Sequence, residues 1–386
     1  MATIPFYFAD FLANVRLTDT QIDECKTGHS TLRKRLHEDE DLAPIIVETF
    51  LQGSYKRGTA VRPSANTSKS DVDIIVVTAL DKTKYTPQQA LDVFRPFLKK
   101  YYDGKFELLG RAWGIRLSYV KLDLVPTSAP SEVVKELIKS ASVSTNESIV
   151  EARDWRLGLD WMPSGLHALP KVSSLNEAAI QKQKQWQKEP LWIPDRIAQQ
   201  WDETHPLAQI AATAIKNKAC DGHFVNIVKC LKWWRLTQKP KPKYPGSYPL
   251  EHLLWLSCPD GVDSVAEGIV RALESIRDKY QEYALKKRTP FINDHGVPSH
   301  NVFGRVSGDD FAAFHAVVTA AAQQARFAFD EKDTKKSALL WRNLFGEKFP
   351  EPPPERSGDD DGAKSSQSGG YTPRKDVSII GGGRFA

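Results

Sequence analysis

The sequence predicts an α+β protein, a mixed α/β unit in its front third and an α-helical lobe in its back half. Three observations carry that prediction. β-branched runs read as strands at 45–51 and 71–78, apolar residues recur three or four apart from His205 to Phe349, and composition changes sharply only once, after Phe349. The 386 residues, 41% hydrophobic with ten tryptophans, can build a sizeable core, and the length favours two lobes over one. Wholesale disorder and a small disulfide-stapled scaffold are thereby excluded. Fifty-three Lys plus Arg against 48 Asp plus Glu leave a net charge of +5, which permits a polyphosphate or nucleic acid ligand without demanding one.

In chain order, residues 20–42 read as a helix and 45–51 as a strand that runs directly into Gly53-Ser54. A turn-rich loop follows, then DVDIIVVT at 71–78, the composition of a buried strand. A helix over 87–101 begins with Pro in its first turn. Strands are expected at 105–110 and 115–125, the second with Val120, Leu122 and Leu124 on one face and Lys121 and Asp123 on the other. Between 131 and 200, tryptophans lie among Pro, Lys and Gln without a clear period, and no structure is assigned. From Pro350 onward the chain is rich in Pro, Gly, Ser and Asp and is expected to be a mobile tail. The division is therefore 1–200, a lobe built on the mixed α/β unit with an N-terminal helix, which is the catalytic lobe if the chain is an enzyme, 201–349, a helical lobe, and 350–386, a disordered tail. Cys25, Cys220, Cys230 and Cys258 are too far apart for a metal-binding pair and read as reduced core residues. Neither a basic leader nor a run of about 20 apolar residues is present, which predicts a soluble protein of the cytoplasm with no membrane contact.

Asp71 and Asp73 stand two apart on a strand, so both carboxylates project from one face and can hold a cation. Gly53 lets backbone approach a ligand, and the Ser54 hydroxyl with the amides of the following turn can cradle a phosphate. Asp123 stands alone among apolar neighbours, where a carboxylate is costly unless hydrogen-bonded or metal-bound. In a helix whose buried stripe is Phe224, Ile227, Val228, Leu231 and Trp234, Lys229 and Lys232 fall on an adjoining face, as ordinary exposed lysines or as a pair that meets a polyphosphate. Tyr248 reads equally as a core aromatic after Pro245.

Leu51-Gln52-Gly53-Ser54, then Asp71-Val72-Asp73 opening an apolar strand, then Leu122-Asp123-Leu124 resembles the signature of the DNA polymerase β-like nucleotidyltransferases. Lys232-Trp233-Trp234-Arg235 and Gly246-Ser247-Tyr248-Pro249-Leu250-Glu251 resemble core helices of the oligoadenylate synthetase and cyclic GMP-AMP synthase group. With FADFLANVRLTDTQ, LQGSYKRGTAVRP, WRLGLDW, THPLAQI, YPLEHLL and the closing GRFA, nearly the whole chain is similar to the bacterial cGAS/DncV-like nucleotidyltransferases (CD-NTases) of CBASS anti-phage systems, closest to clade D. That resemblance implies a bilobal fold, a mixed-sheet nucleotidyltransferase core completed by the helical lobe.

The resemblance also implies an activity, the synthesis of a cyclic oligonucleotide second messenger, an adenosine-containing cyclic trinucleotide, from ATP and GTP. It assigns Asp71, Asp73 and Asp123 to two Mg²⁺ ions, with Mn²⁺ as a substitute. Gln52, Gly53 and Ser54 fall to the donor triphosphate, Lys232 and Ser247 to phosphates and Tyr248 to base stacking. The partners implied are a downstream effector activated by the cyclic nucleotide and an operon partner, E1/E2-like or HORMA-type, the former able to join Ala386 to a target lysine. No obligate nucleic acid is implied. Two rival readings share the fold, a template-independent RNA-tailing enzyme and a non-catalytic nucleic-acid sensor. The presence of all three acids weighs against the sensor, as does the lack of a metal-finger insertion or dense Lys/Arg stripe.

Overall fold

The computed structural model describes residues 3–63, 69–131 and 190–353; most of the unassigned stretch and nearly all of the expected tail lie outside them. Two helices open the chain, α1 (Pro5–Val15) and α2 (Asp19–Glu38), the second begun by a capping box between Thr18 and Gln21. α2 stops short of the predicted residue 42 because the Asp39 carboxylate accepts from the Asp41 and Leu42 amides and turns the chain. β1 (Ile46–Gln52) runs into a one-turn helix, α3 (Gly53–Lys56), and β2 (Ser70–Thr78) follows. Where one helix is predicted over 87–101 there are two, α4 (Pro87–Asp92) and α5 (Arg95–Tyr102), since Pro96 has no amide to continue the ladder.

β3 (Phe106–Leu108), β4 (Trp113–Arg116) and β5 (Val120–Thr127) complete the sheet. The single strand predicted over 115–125 is in fact split between β4 and β5, which are antiparallel and joined by a turn in which the Leu117 amide donates to the Val120 carbonyl at 2.9 Å. The strand order is β1-β2-β5-β4-β3, with β2 and β5 parallel and the other neighbours antiparallel, a mixed sheet. One face, carrying Val72, Ile74, Val76, Val120, Leu122 and Leu124, packs with Leu32 and Leu36 of α2 and Phe97 and Leu98 of α5. Gly28 permits that contact, because a Cβ there would stand 2.7 Å from Val120 Cγ1. On the other face Ile75, Val77 and Val125 pack with Leu191 and Ile193 of β6 (Leu191–Asp195), which pairs with β7 (Gln200–Thr204). Asp71, Asp73 and Asp123 precede those residues on the same strands, and by the period-two alternation they share that face.

The back of the chain folds as α6 (Pro206–Ala219), α7 (Phe224–Thr237), α8 (Ser247–Ser257), α9 (Val265–Lys279), α10 (Gln281–Leu285), α11 (Gly308–Asp330) and α12 (Thr334–Phe345). Their apolar faces form one cluster with Phe8, Phe11, Leu12 and Val15 of α1. Phe11 lies 4.7 Å, centroid to centroid, from Phe345. α1 thus packs into the helical core, although a boundary at residue 200 groups it with the sheet. The four cysteines are buried free thiols, as expected. Among the described residues no helix is long and apolar enough to cross a membrane.

α7 differs from the amphipathic helix expected. Every residue from Phe224 to Arg235 is buried, so Lys229 and Lys232 do not occupy an exposed face beside a core stripe. The helix is enclosed on all sides, and its cations are compatible with that only because they find polar partners inside.

Candidate active site

Three carboxylates converge at one end of the sheet. Asp73 is the register partner of Asp123 across the parallel β2–β5 pair and of Gln52 across the antiparallel β1–β2 pair, while Asp71 lies opposite Lys121. One carboxylate oxygen from each of Asp71, Asp73 and Asp123 lies within 4.8 Å of the others. The exposure falls inward, from 48% for the Asp71 side chain to 15% for Asp123. Lys121 bridges Asp71 and Asp123, with Nζ 3.3 Å from Asp71 Oδ1 and 3.2 Å from Asp123 Oδ2. Asp123 Oδ1 is buried without a hydrogen-bond partner; Lys121 Nζ, 3.0 Å away, is ion-paired to it but donates to the other oxygen.

Burial, followed by the charges of Asp71 and Asp123, pushes Asp73 up to about 7. Burial and Asp71 likewise raise Asp123, against the pull of Lys121. A cation here would relieve that repulsion and satisfy the orphaned oxygen. The all-oxygen donor set suits a hard divalent ion, so these residues fit a metal of the Mg²⁺ type.

Gly53 has φ +73, and a Cβ built on it would stand 1.8 Å from Asp73 Oδ2. The glycine is therefore required twice, by the left-handed backbone that turns β1 into α3 and by the carboxylate that occupies its side-chain space. Gln52 and Ser54 flank it, so the Gln-Gly-Ser segment and the three acids assemble as one group. The Thr59 and Ala60 amides fold back onto the Ser54 carbonyl at 2.9 and 3.1 Å, closing the turn after α3.

Lys232, Ser247 and Tyr248 belong to the helices beside this group. Ser247 opens α8. The Tyr248 hydroxyl donates to Asp294 Oδ2 at 2.5 Å, its ring meets His252 edge-on at 4.5 Å, and the Arg57 guanidinium lies 5.6 Å above it. Burial and Asp294 raise the Tyr248 phenol well above its usual range. Lys232 is held by Glu251 and the Thr59 carbonyl. Arg57, Thr59, Lys121, Glu251 and Asp294 were not singled out from sequence as site residues. Lys121 left a local signal, as the cation sharing the strand face of Asp123, while Arg57, Thr59 and Glu251 lay within segments that carry the family resemblance without a role of their own. Ala386 lies outside the described residues.

The pH dependence of stability follows from Asp73. Between its ordinary value near 3.8 and about 7, the folded chain keeps a proton that the unfolded chain has released. Metal-free stability therefore falls as pH rises through that window, by at most about 1.4 kcal/mol per pH unit for this one proton. Thermal melts in chelator should show wild type losing ground to Asp73→Asn between pH 5 and pH 8, and Mg²⁺ should restore wild type at pH 8. Parallel curves for the two proteins across that range would contradict the assignment.

The SMODS family profile, described as the Second Messenger Oligonucleotide or Dinucleotide Synthetase domain, matches residues 2–141, which include all three acids. The chain is 43% identical over 387 residues to the cyclic AMP-AMP-GMP synthase of Enterobacter hormaechei subsp. hoffmannii (strain UCI 50), with 98% of each chain covered. It is 29% identical over 346 residues to the cyclic AMP-AMP-AMP synthase of Acinetobacter sp. (strain ATCC 27244 / 9458), covering 89% of this chain and 84% of that one. Among solved structures, a chain of the E. coli MS115-1 CdnC:HORMA-deltaN complex superposes with a TM-score of 0.57 at 18% identity, over 89% of this chain and 97% of that one. At that identity the likeness concerns the fold, which is the nucleotidyltransferase architecture expected.

Proposed function

The chain belongs to the bacterial cGAS/DncV-like nucleotidyltransferases, the CD-NTases, and from that premise we propose that it joins ATP and GTP into a cyclic AMP-AMP-GMP trinucleotide. It is a nucleotidyltransferase of the cyclic oligonucleotide synthase type. The observation that carries the reading is the convergence of Asp71, Asp73 and Asp123 on one point beside a glycine whose missing side chain makes room for Asp73. The choice of product rests on the higher identity and fuller coverage of the AMP-AMP-GMP synthase over the AMP-AMP-AMP synthase.

Attack by a ribose hydroxyl on an α-phosphorus brings an oxygen nucleophile to an anionic centre and expels pyrophosphate, so charge neutralisation and in-line placement are the main needs. Two Mg²⁺ ions, replaceable by Mn²⁺, would supply charge neutralisation and a lowered hydroxyl pKa when bound. In this reading Asp71 and Asp73 would hold the ion on the donor triphosphate, and Asp73 and Asp123 the ion at the acceptor hydroxyl. Asp73, common to both, is raised to about 7 by burial and by the charges of Asp71 and Asp123, which a cation would offset. Gln52, Gly53, Ser54 and Ser247 border the triphosphate in this reading, Lys232 adds positive charge, and Tyr248 marks the base side. The product would act in the cytoplasm on an effector that responds to the cyclic nucleotide, in anti-phage defence. An E1/E2-like or HORMA-type partner would accompany the enzyme, the E1/E2-like one acting at Ala386.

Labelled ATP and GTP incubated with the chain and Mg²⁺, then treated with phosphatase, should leave a resistant product that needs both nucleotides. Linear chains on an RNA end would favour the tailing enzyme, and absence of any turnover the binding module.

A further inference from the structure

Arg57, Lys232 and Glu251 meet in the interior with side chains 6%, 4% and 9% exposed. They come from three elements. Arg57 closes α3, Lys232 lies in the middle of α7, and Glu251 stands on α8 three residues after Tyr248. The carboxylate is divided between the cations, with Arg57 Nε donating to Oε2 at 3.1 Å and Lys232 Nζ pairing with Oε1. Lys232 also donates to the Thr59 carbonyl at 3.0 Å, which fastens α7 to the turn after α3.

Two cations against one carboxylate leave one positive charge, in a place where a buried charge is costly without a counter-ion. Burial depresses Lys232 despite Glu251, whereas the paired cations hold Glu251 down at about 2 against its own burial. The carboxylate is therefore ionised at any working pH. Asp73 lies close enough for its field to act on both Arg57 and Lys232, so the excess charge borders the acidic end of the sheet. An anionic group of the substrate arriving there would complete the charge count.

We propose that Glu251 is a positioning residue of the nucleotide site, whose carboxylate holds Arg57 and Lys232 side by side and leaves the pair one positive charge in excess for the phosphates of a nucleoside triphosphate. The proposal rests on the reading of this region as a nucleotide site. Its specific content is that Glu251 acts through the two cations and touches no substrate itself. A glutamine at 251 keeps the shape but turns an NH₂ toward one of the cations, which drives that cation from its place.

The test uses the full chain. Glu251→Gln should raise the KM for ATP at least tenfold with kcat changed less than threefold, and should weaken binding of inorganic tripolyphosphate, measured by calorimetry, by a similar factor. Glu251→Asp should recover part of both losses. In a Lys232→Met background Glu251→Gln should add much less to KM than it does alone, since its action runs through that cation. Unchanged KM, tightened tripolyphosphate binding, or fully additive effects would each overturn the proposal. If Glu251→Gln fails to fold, Glu251→Asp carries the test, with KM raised at least threefold at an unchanged melting temperature in favour and an unchanged KM against. A wild-type chain that binds tripolyphosphate yet makes no product overturns the synthase reading alone, and the tripolyphosphate comparison still decides the role of Glu251.

Discussion

The double variant Asp71→Asn, Asp73→Asn is expected to form product at less than about a thousandth of the wild-type rate, a loss of about 4 kcal/mol or more of transition-state stabilisation. Amides keep the size of the carboxylates and remove the charges that would hold divalent ions. The fold should survive, because Asp73 is strained rather than satisfied in the metal-free chain, raised to about 7 by burial and by its two acidic neighbours. Thermal melts in chelator at pH 8 should therefore place the variant level with wild type or above it. Rapid product formation by a folded double variant would remove these acids from the reaction, whatever else the site does.

Gly53→Ala should be nearly as damaging to activity through a single methyl group. Its Cβ would fall 1.8 Å from Asp73 Oδ2, so either the carboxylate or the α3 turn must move. Displacement of a catalytic group by about 1 Å is enough for a hundredfold loss. Part of the effect is backbone strain, since φ is +73 and a left-handed alanine costs about 1–2 kcal/mol. Gly104→Ala separates the two contributions, because Gly104 has φ +69 and no atom within 4 Å of the added Cβ. Both variants should lose the stability that a left-handed alanine costs, Gly53→Ala more because of the overlap with Asp73, while only Gly53→Ala loses activity. Equal activity in both would mean that Gly53 serves the turn and not the acid.

The parts of this molecule that could be read from sequence are those governed by local chemistry. The β-branched runs gave β1 and β2, the spacing of Asp71 and Asp73 placed them on one face, and the isolation of Asp123 among apolar residues marked an unmet charge that survives as an orphaned oxygen. What escaped depends on contacts distant in sequence. The turn between β4 and β5 lies within Leu117-Ser118-Tyr119, which has no Gly or Pro, and its one trace is a change of phase, from apolar residues at 115, 117 and 119 to apolar residues at 120, 122 and 124. Lys232 resembles an ordinary helix-surface lysine until Glu251 and Thr59 are brought to it by folding. The second reason for Gly53, the space taken by Asp73 twenty residues later, has no local trace at all.

Whether the acids of β2 and β5 hold the divalent ions of nucleotidyl transfer is tested most directly by electron paramagnetic resonance of Mn²⁺ titrated into the full chain with a non-hydrolysable ATP analogue. The wild-type chain should bind two ions whose spins couple, and the Asp71→Asn, Asp73→Asn chain should bind neither. A coupled pair retained by the variant, or a wild-type chain that turns over nucleotides with no ion lost on that substitution, would contradict it.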